Sequence, residues 1–156
     1  FDLLVQVAGR AGRDKKPGKV ILQTYAPRHY VYRFALNYDY NGFFSKELNI
    51  RQVTKFPPFT EIIRILIRGN DEQTVSETTK EVTLKIRKYM DDNNAKDKFA
   101  YFQPMKSPVK KIGGKVRYQI LMRITDHSII KTIYDIIDSV NLKCELFIEN
   151  NPQNLI

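Results

Sequence analysis

The sequence predicts an α+β fold in which four strands and two helices follow one another in the order β-α-β-β-α-β. Alternating apolar positions mark four short strands, and apolar positions at helical spacing mark two helices, after the first and third strands. Because each helix then joins two strands of a split β-α-β unit, both helices are expected on one face of a four-stranded sheet. This arrangement is a ferredoxin-like two-layer sandwich, and it is predicted over residues 56–156.

The sandwich begins after a boundary at residues 56–59, where two successive prolines prevent a helix from continuing. In the first strand, Ile63, Ile65 and Ile67 form one apolar face, which is expected to lie against the helices. The predicted elements, in chain order, are a strand at 60–68, a helix from a cap at Asn70 to about Met90, strands at 99–105 and 115–125, a helix capped by Asp126, and a strand at 143–149.

Two further segments precede the sandwich. Residues 1–28 contain an arginine-rich helix start, a turn at Pro17-Gly18 and a predicted strand at 19–25. Residues 29–55 are an aromatic-rich linker with two short helices, broken around Tyr38 to Asn41. Seven aromatic side chains lie between residues 30 and 44. They either pack the linker against the domains that it joins or form a platform on which nucleic-acid bases stack.

Positive charge is concentrated in two parts of the chain, which carries a net charge of +9. Residues 1–33 hold seven Lys/Arg and two Asp, and residues 98–123 hold seven Lys/Arg and no acid. Residues 124–156, in contrast, hold five acids and two lysines. A concentrated basic stretch is typical of a protein that binds nucleic acid, although basic loops can also be merely solvated.

Several classes of protein are excluded by composition. The single cysteine, Cys144, excludes a disulfide within the chain and any cysteine-rich zinc site, and no metal ligands are predicted. No apolar run approaches the roughly 20 residues that a membrane-spanning helix needs. The first four residues are typical of the middle of an element, so the chain is expected to be a C-terminal piece of a longer cytoplasmic protein.

Two arginines stand three positions apart near the start of the chain, in the run QVAGRAGR at residues 6–13. If a helix begins at Val7, Arg10 and Arg13 lie on one of its faces. Gly9 and Gly12 let a second surface approach the backbone closely. Two guanidinium forks on such a surface suit the oxygens of a nucleotide triphosphate.

The pattern Q-x-x-G-R-x-x-R in this run resembles the last conserved motif, motif VI, of superfamily 2 helicases. The resemblance implies that residues 1–28 are the C-terminal edge of a second RecA-like helicase lobe and that Gln6, Gly9, Arg10 and Arg13 face ATP. In that family Arg13 would be the arginine finger, Arg10 a second phosphate or inter-lobe contact, and Gln6 a link to the DNA track. The simpler interpretation is an arginine-rich helix start on a basic protein.

A second basic constellation surrounds Gly113 and Gly114, which predict the tip of a β-hairpin between the second and third strands. A flexible basic hairpin suits the phosphate backbone of a nucleic acid rather than base edges. The order of its glycines and lysines excludes a Walker-type phosphate loop. The predicted DNA-binding residues are Lys106, Lys110, Lys111, Lys115, Arg117 and Tyr118.

Segments along nearly the whole chain resemble the C-terminal region of the primosomal protein N′ family of replication-restart DNA helicases. The segments that carry this resemblance are the arginine motif followed by Pro17 to Val20, Gln23-Thr24, Pro57 to Phe59, Pro104 to Pro108 leading to Arg117-Tyr118-Gln119, and the ending Pro152 to Leu155. The resemblance implies part of an ATP-dependent 3′–5′ helicase that recognises branched DNA at stalled forks and initiates primosome assembly.

The same resemblance implies the cofactors and partners. ATP and Mg²⁺ would bind the full-length protein, and zinc would bind a cysteine-rich module outside this chain. The segment alone is expected to bind no cofactor and to be inactive. Expected partners are branched and single-stranded DNA, single-stranded-DNA-binding protein and other primosome proteins.

Two other classes of function are open from the residues. The β-α-β-β-α-β order is shared with RNA-binding RRM domains, which stack bases on aromatic side chains of the central strands. Here Tyr118, with Tyr101 or Phe99, would have to serve that purpose. Alternatively, the basic face binds an acidic protein tail, such as that of single-stranded-DNA-binding protein.

Overall fold

In the computed structural model, the described residues are 1–11 and 18–153. The chain divides into two compact units, Phe1–Val53 and Thr54–Ile156. The first unit is helical, and the second contains the sheet. The finer division of the first 55 residues into a lobe edge and a linker stays a prediction.

The first unit contains three helices: α1 (Asp2–Ala8), α2 (Tyr30–Leu36) and α3 (Tyr40–Val53). The prediction of two helices in residues 29–55 is therefore confirmed. The break between them covers residues 37–39, where Tyr38 has a φ of 53°, and does not extend to Asn41, which lies in α3. Within this unit the aromatic rings contact one another, and Phe43 stacks on Phe1 with 4.7 Å between ring centroids. The Tyr30 hydroxyl also donates a hydrogen bond to Glu47.

Two local predictions for the first unit are wrong. The helix near the arginine motif does not begin at Val7, because α1 ends at Ala8 and Gly9 is its C-cap. The strand at 19–25 is also not formed: residues 18–24 have no regular structure, and Ile21 is 82% exposed. A strand needs a neighbour to accept its backbone hydrogen bonds, and within the described residues the first unit offers none.

The second unit has the α+β class that the sequence predicts. Its four strands form one antiparallel sheet in the order β2-β3-β1-β4. The elements, in chain order, are β1 (Glu61–Gly69), α4 (Glu72–Asp92), β2 (Phe99–Ile112), β3 (Lys115–Ile124), α5 (Ile130–Asp138) and β4 (Glu145–Asn150). Short 3₁₀ turns precede β2 and α5.

One face of this sheet forms the hydrophobic core with α4 and α5. Ile65 lies opposite Ile120 of β3 and Ile148 of β4, so the three central apolar side chains share that face. Ile65 and Ile120 are completely buried, as are Val82 of α4 and Ile133 of α5. Alternation along β1 and helical spacing along α4 and α5 thus place their apolar stripes in one cluster, as predicted.

The other face of the sheet carries a charged ladder. Arg64 on β1 lies opposite Glu149 on β4, and their side chains form an ion pair at 2.5 Å. Arg68 and Glu145 form a second pair at 2.6 Å along the same two strands. Opposite charges directly across two strands favour this register.

The cap of α4 differs from the prediction by one residue. Asp71, rather than Asn70, is the N-cap, and its Oδ2 accepts a hydrogen bond from the Thr74 N–H at 2.7 Å. Hydrogen bonds from the side chain and the backbone N–H of Thr74 lower the pKa of the Asp71 carboxyl below its ordinary value. Either residue type caps a helix well, and only the backbone geometry decides between adjacent candidates.

Candidate nucleic-acid interface

The predicted hairpin joins β2 to β3 through a two-residue turn, Gly113-Gly114. Ile112 pairs with Lys115 directly below the turn. Both glycines have positive φ angles, 57° and 80°, which side chains other than glycine rarely adopt. The glycine pair therefore fixes the tight turn and places the flanking lysines close to its tip.

The β2 strand is irregular just before this tip. Lys106 pairs with Tyr118, and the next pair along β2 is Lys111 with Val116. Between these two pairs, four residues of β2 thus lie opposite a single residue of β3, so residues 107–110 bulge out of the regular ladder. Lys110 lies in this bulge, and its side chain is exposed.

Residues 98–123 contain no acid, but acidic side chains from other elements contact this run in the folded chain. Four of its seven cations have partners from other elements of the fold. Lys98 pairs with Asp126 at 2.9 Å, and Arg123 donates to the backbone carbonyls of Thr54 and Lys55. The remaining two partnered cations are Lys106 and Lys115.

Lys106 and Tyr118, both predicted to contact DNA, meet at the start of α4. The Lys106 ammonium and the Tyr118 hydroxyl both donate to the Glu72 carboxylate, at 2.8 and 3.2 Å. The ammonium also lies 5.5 Å from the centre of the Tyr118 ring. The hydrogen bond from Lys106 holds the pKa of Glu72 below its ordinary value, and Glu72 in turn raises the pKa of Lys106. Lys106 thus already has an acidic partner.

Lys115 is neutralised on the opposite face of the sheet. Its ammonium pairs with Glu145, whose second oxygen binds Arg68 at 2.6 Å. Lys115 and then Arg68 lower the pKa of the Glu145 carboxyl. The structure therefore separates Lys115 from Lys106 and does not assemble the six predicted residues into a single cluster.

Three cations of the hairpin have no ion-pair partner among the described residues: Lys110, Lys111 and Arg117. Lys110 and Lys111 are exposed, and Arg117 is half-buried on β3. These three side chains, named here the hairpin cations, flank the Gly113-Gly114 turn. They are the part of the predicted set that is best able to bind phosphate groups.

Arg123 has a structural position that its sequence context does not reveal. Its guanidinium lies between the rings of Phe56 and Tyr101, 4.5 and 5.2 Å from their centres. This stacking, with the two carbonyl hydrogen bonds, fastens the proline-containing boundary to β3. Tyr101 is therefore engaged by Arg123 in this structure.

The N-terminal arginine motif is described only in part. Gln6 lies on α1, and Gly9 and Arg10 lie in the turn that follows it; all three are exposed. The Arg10 N–H donates to the Val7 carbonyl at 3.2 Å, and its guanidinium has no ion-pair partner among the described residues. Arg13 lies outside the described residues.

Across the described ranges, no group of three or more His, Cys, Asp or Glu side chains is placed to hold a metal ion. Among these residues, no helix combines the length and the apolarity that crossing a membrane requires.

The fold and its charges define a basic α+β domain with unpaired cations around one hairpin. Residues 52–141 match the family model described as the primosomal protein N C-terminal domain. That match covers more than half of the chain, so the chain belongs to this family.

The chain is also similar to proteins named replication restart protein PriA. The relative from Synechocystis sp. is 32% identical over 123 residues, which cover 79% of this chain and 14% of that protein. The relative from Borreliella burgdorferi is 29% identical over 150 residues, covering 96% and 22%. The relative from Bacillus subtilis is 34% identical over 123 residues, covering 79% and 15%. The chain thus spans between 14% and 22% of the length of these relatives.

Among solved structures, the chain resembles the de novo designed protein Foldit4, with a TM-score of 0.45 and 14% identity. The match covers 61% of this chain and 99% of that chain. A likeness this weak has no bearing on function.

We expect the two paired glutamates to make stability depend on acidity. Because both pKa values are lowered from 4.5 in the folded state, each carboxylate contributes stability that is fully present above pH 4.5. That contribution is lost as the pH falls through the lowered values. The midpoint of thermal unfolding, measured by circular dichroism, should fall less on acidification in Glu72→Gln/Glu145→Gln than in the wild type. Glu77→Gln, which removes an exposed carboxylate of α4, is the control, and an identical loss in all three proteins would contradict the expectation.

Proposed function

We propose that this chain is the C-terminal part of an ATP-dependent 3′–5′ DNA helicase that recognises branched DNA at stalled forks and initiates primosome assembly. Membership of the primosomal protein N C-terminal domain family and the name of the relatives support a role in replication restart. Within that role, the second unit binds the DNA backbone through the hairpin cations.

The observation that carries the DNA-binding proposal is the set of three unpaired cations at the hairpin. Lys110, Lys111 and Arg117 are the cations of residues 98–123 that form no ion pair with another element among the described residues. Exposed or half-buried cations on the two strands of a hairpin can contact phosphates and release the counterions bound there. Such contacts fix the position of DNA but read no sequence, which suits a protein that must act at forks anywhere in a chromosome.

The second unit is proposed to be a ferredoxin-like sandwich. The element order β-α-β-β-α-β and the strand order β2-β3-β1-β4 support this assignment. Since α4 and α5 form one core with the sheet, the exposed hairpin tip lies outside that core and is available for other contacts.

Residues 1–28 are proposed to be the edge of a RecA-like lobe that contributes Arg10 and Arg13 to an ATP site of the full-length protein. The exposed guanidinium of Arg10, with no carboxylate paired to it in the described ranges, fits a phosphate contact. ATP would supply the free energy for unwinding. Mg²⁺ and zinc are proposed to bind other parts of the full-length protein, as the family resemblance implies. The segment alone is expected to hydrolyse no ATP.

The proposed partners are branched and single-stranded DNA, single-stranded-DNA-binding protein and other primosome proteins. The cytoplasm is the proposed location, and the name of the relatives, replication restart protein, supports it. These partners follow from the family, and the hairpin is the surface that the described residues offer for DNA.

The RNA-binding alternative is less well supported by the geometry. Tyr118 packs against the core, and its hydroxyl is bound to Glu72. Tyr101 is stacked on Arg123. The aromatic side chains that would stack bases in an RRM-like mode are therefore already engaged, whereas the hairpin cations are free to bind phosphate or an acidic protein tail.

We expect Lys110→Ala/Lys111→Ala/Arg117→Ala to weaken DNA binding to the same extent on unrelated sequences. Backbone contacts contribute equally to all sequences, so the ratio of affinities between any two duplexes should not change. Fluorescence anisotropy with the 156-residue chain and several labelled duplexes measures this directly. Competition by RNA and by an acidic peptide tests the two alternatives.

The control is Asp135→Asn/Asp138→Asn on α5, which changes charge away from the hairpin. Its affinity for DNA should stay close to that of the wild type. If the triple variant binds DNA as tightly as the wild type but no longer binds an acidic peptide, the function of the hairpin is protein docking and not DNA binding.

A further inference from the structure

A groove of about 420 Å³ lies between α4 and the edge strand β2. Its floor is largely apolar and includes Leu84, Pro104 and the methyl-bearing Thr83. Leu84 is 65% exposed and lies outside the core stripe of α4, which Val75, Val82 and Ile86 form. An exposed leucine on a charged helix is not unusual by itself. Here, however, it lines a concave surface that continues across to a second element.

The rim of this α4–β2 groove is positively charged. Lys80 and Arg87 line it from α4, and Lys106 lines it from β2. None of the described side chains that line the groove is acidic. Lys106 is paired with Glu72, so the unneutralised charge of the rim belongs to Lys80 and Arg87, which have no ion-pair partner among the described residues.

The two free rim cations are spaced for a chain of phosphates. Arg87 follows Lys80 by seven positions, which is about two turns of α4 and about 10.5 Å along its axis. At about 3.4 Å of rise per nucleotide in a stacked strand, that length corresponds to about three nucleotides. Arg87 also lies 5.9 Å from the centre of the Phe102 ring, a contact that limits where its guanidinium can point.

The occupant that these features suit is a single strand of nucleic acid. An apolar floor can receive the face of an unpaired base, which a duplex hides within its stack, while the rim binds phosphates. An extended peptide is less well suited, because Pro104 and Pro108 lie on the edge strand β2 and have no N–H to donate to an added strand.

We propose that the α4–β2 groove binds an unpaired stretch of DNA, with Lys80 and Arg87 on its phosphates and Leu84 and Pro104 against a base. This inference rests on the proposed DNA-binding function and adds a second contact to it. Lys106 and Tyr118 line the groove and lie on the two strands that carry the hairpin cations. A junction between duplex and single strand would therefore meet both surfaces at once.

The test compares Lys80→Ala/Arg87→Ala with the wild-type 156-residue chain on two probes, a short oligothymidine and a blunt duplex. Two lost phosphate contacts should lower the slope of log affinity against log salt on oligothymidine by about 1.4, at about 0.7 per contact. The slope on the duplex should not change. A second variant, Leu84→Ser, keeps every charge and should lower the affinity for oligothymidine at an unchanged slope.

The matched control is Lys88→Ala/Lys131→Ala, which removes the same charge from exposed positions outside the groove and should leave both slopes unchanged. An unchanged slope on oligothymidine for Lys80→Ala/Arg87→Ala would overturn the proposal, and so would an equal fall on both probes. If Lys80→Ala/Arg87→Ala no longer binds an acidic peptide but still binds oligothymidine, the groove binds a protein partner instead. If the hairpin variant still loses duplex affinity in those cases, only the groove is wrongly assigned. If neither variant weakens any DNA complex, the DNA-binding function itself fails.

Discussion

Replacing Arg13 by alanine in a complete replication restart protein that carries this segment should lower DNA-dependent ATP turnover by about 10³ or more. The reason is that an arginine finger stabilises the negative charge that spreads over the transferred phosphoryl group, an interaction that is strongest in the transition state. DNA binding in the absence of ATP should change little, because the hairpin cations lie in the other unit of the chain. Steady-state hydrolysis with saturating single-stranded DNA measures the effect.

The control for this experiment is Arg28→Ala, an exposed arginine of the same unit outside the Q-x-x-G-R-x-x-R pattern. Its turnover should stay close to that of the wild type. Arg10→Ala should also impair hydrolysis, since Arg10 is expected to contact either a phosphate or the facing lobe. Near-normal turnover by the Arg13→Ala protein would show that Arg13 is not an arginine finger.

Replacing Ile65 by alanine should destabilise the second unit by about 2–5 kcal/mol. Ile65 is completely buried at the centre of the sheet, between Ile120 and Ile148 on its neighbouring strands. Truncation removes apolar contacts and leaves a cavity that the surrounding strands can fill only partly. Ile65→Val, which removes one methylene, should cost about 0.5–1.5 kcal/mol. Urea denaturation of the 156-residue chain measures both.

The control is Leu84→Ala, because Leu84 is 65% exposed and contributes little to the core. Its midpoint in urea should lie close to that of the wild type. If Ile65→Ala and Leu84→Ala unfold at the same urea concentration, the face of β1 that carries Ile65 is not the core face.

Most of the second unit could be predicted from local patterns. Alternating isoleucines place β1, and the glycine pair at 113–114 places the hairpin turn, because in both cases the signal lies within a few residues of the element. The strand at 19–25 could not be judged in this way, since a strand forms only where another strand pairs with it. The α4 cap lies at Asp71 and not at the predicted Asn70, because only backbone geometry decides between two adjacent cap residues.

The candidate site was harder to predict because ion pairs join residues that are distant in sequence. Glu72 lies 34 residues from Lys106, and Glu145 lies 30 residues from Lys115. A count of charges along the chain therefore overstates the free positive charge near the hairpin. The cations of the α4–β2 groove were missed for the opposite reason, since Lys80 and Arg87 lie in a stretch with no net charge.

We propose that the hairpin cations, rather than the total positive charge of residues 98–123, bind the DNA backbone. The most direct measurement is the slope of log affinity against log salt for a duplex and the 156-residue chain. Lys110→Ala/Lys111→Ala/Arg117→Ala should lower that slope by about two to three units, at about 0.9 per phosphate contact. Lys98→Ala/Lys106→Ala/Lys115→Ala removes the same charge from cations already paired with acids, and should leave the slope nearly unchanged. Equal slopes for these two triple variants, or no loss in the first, would contradict the account.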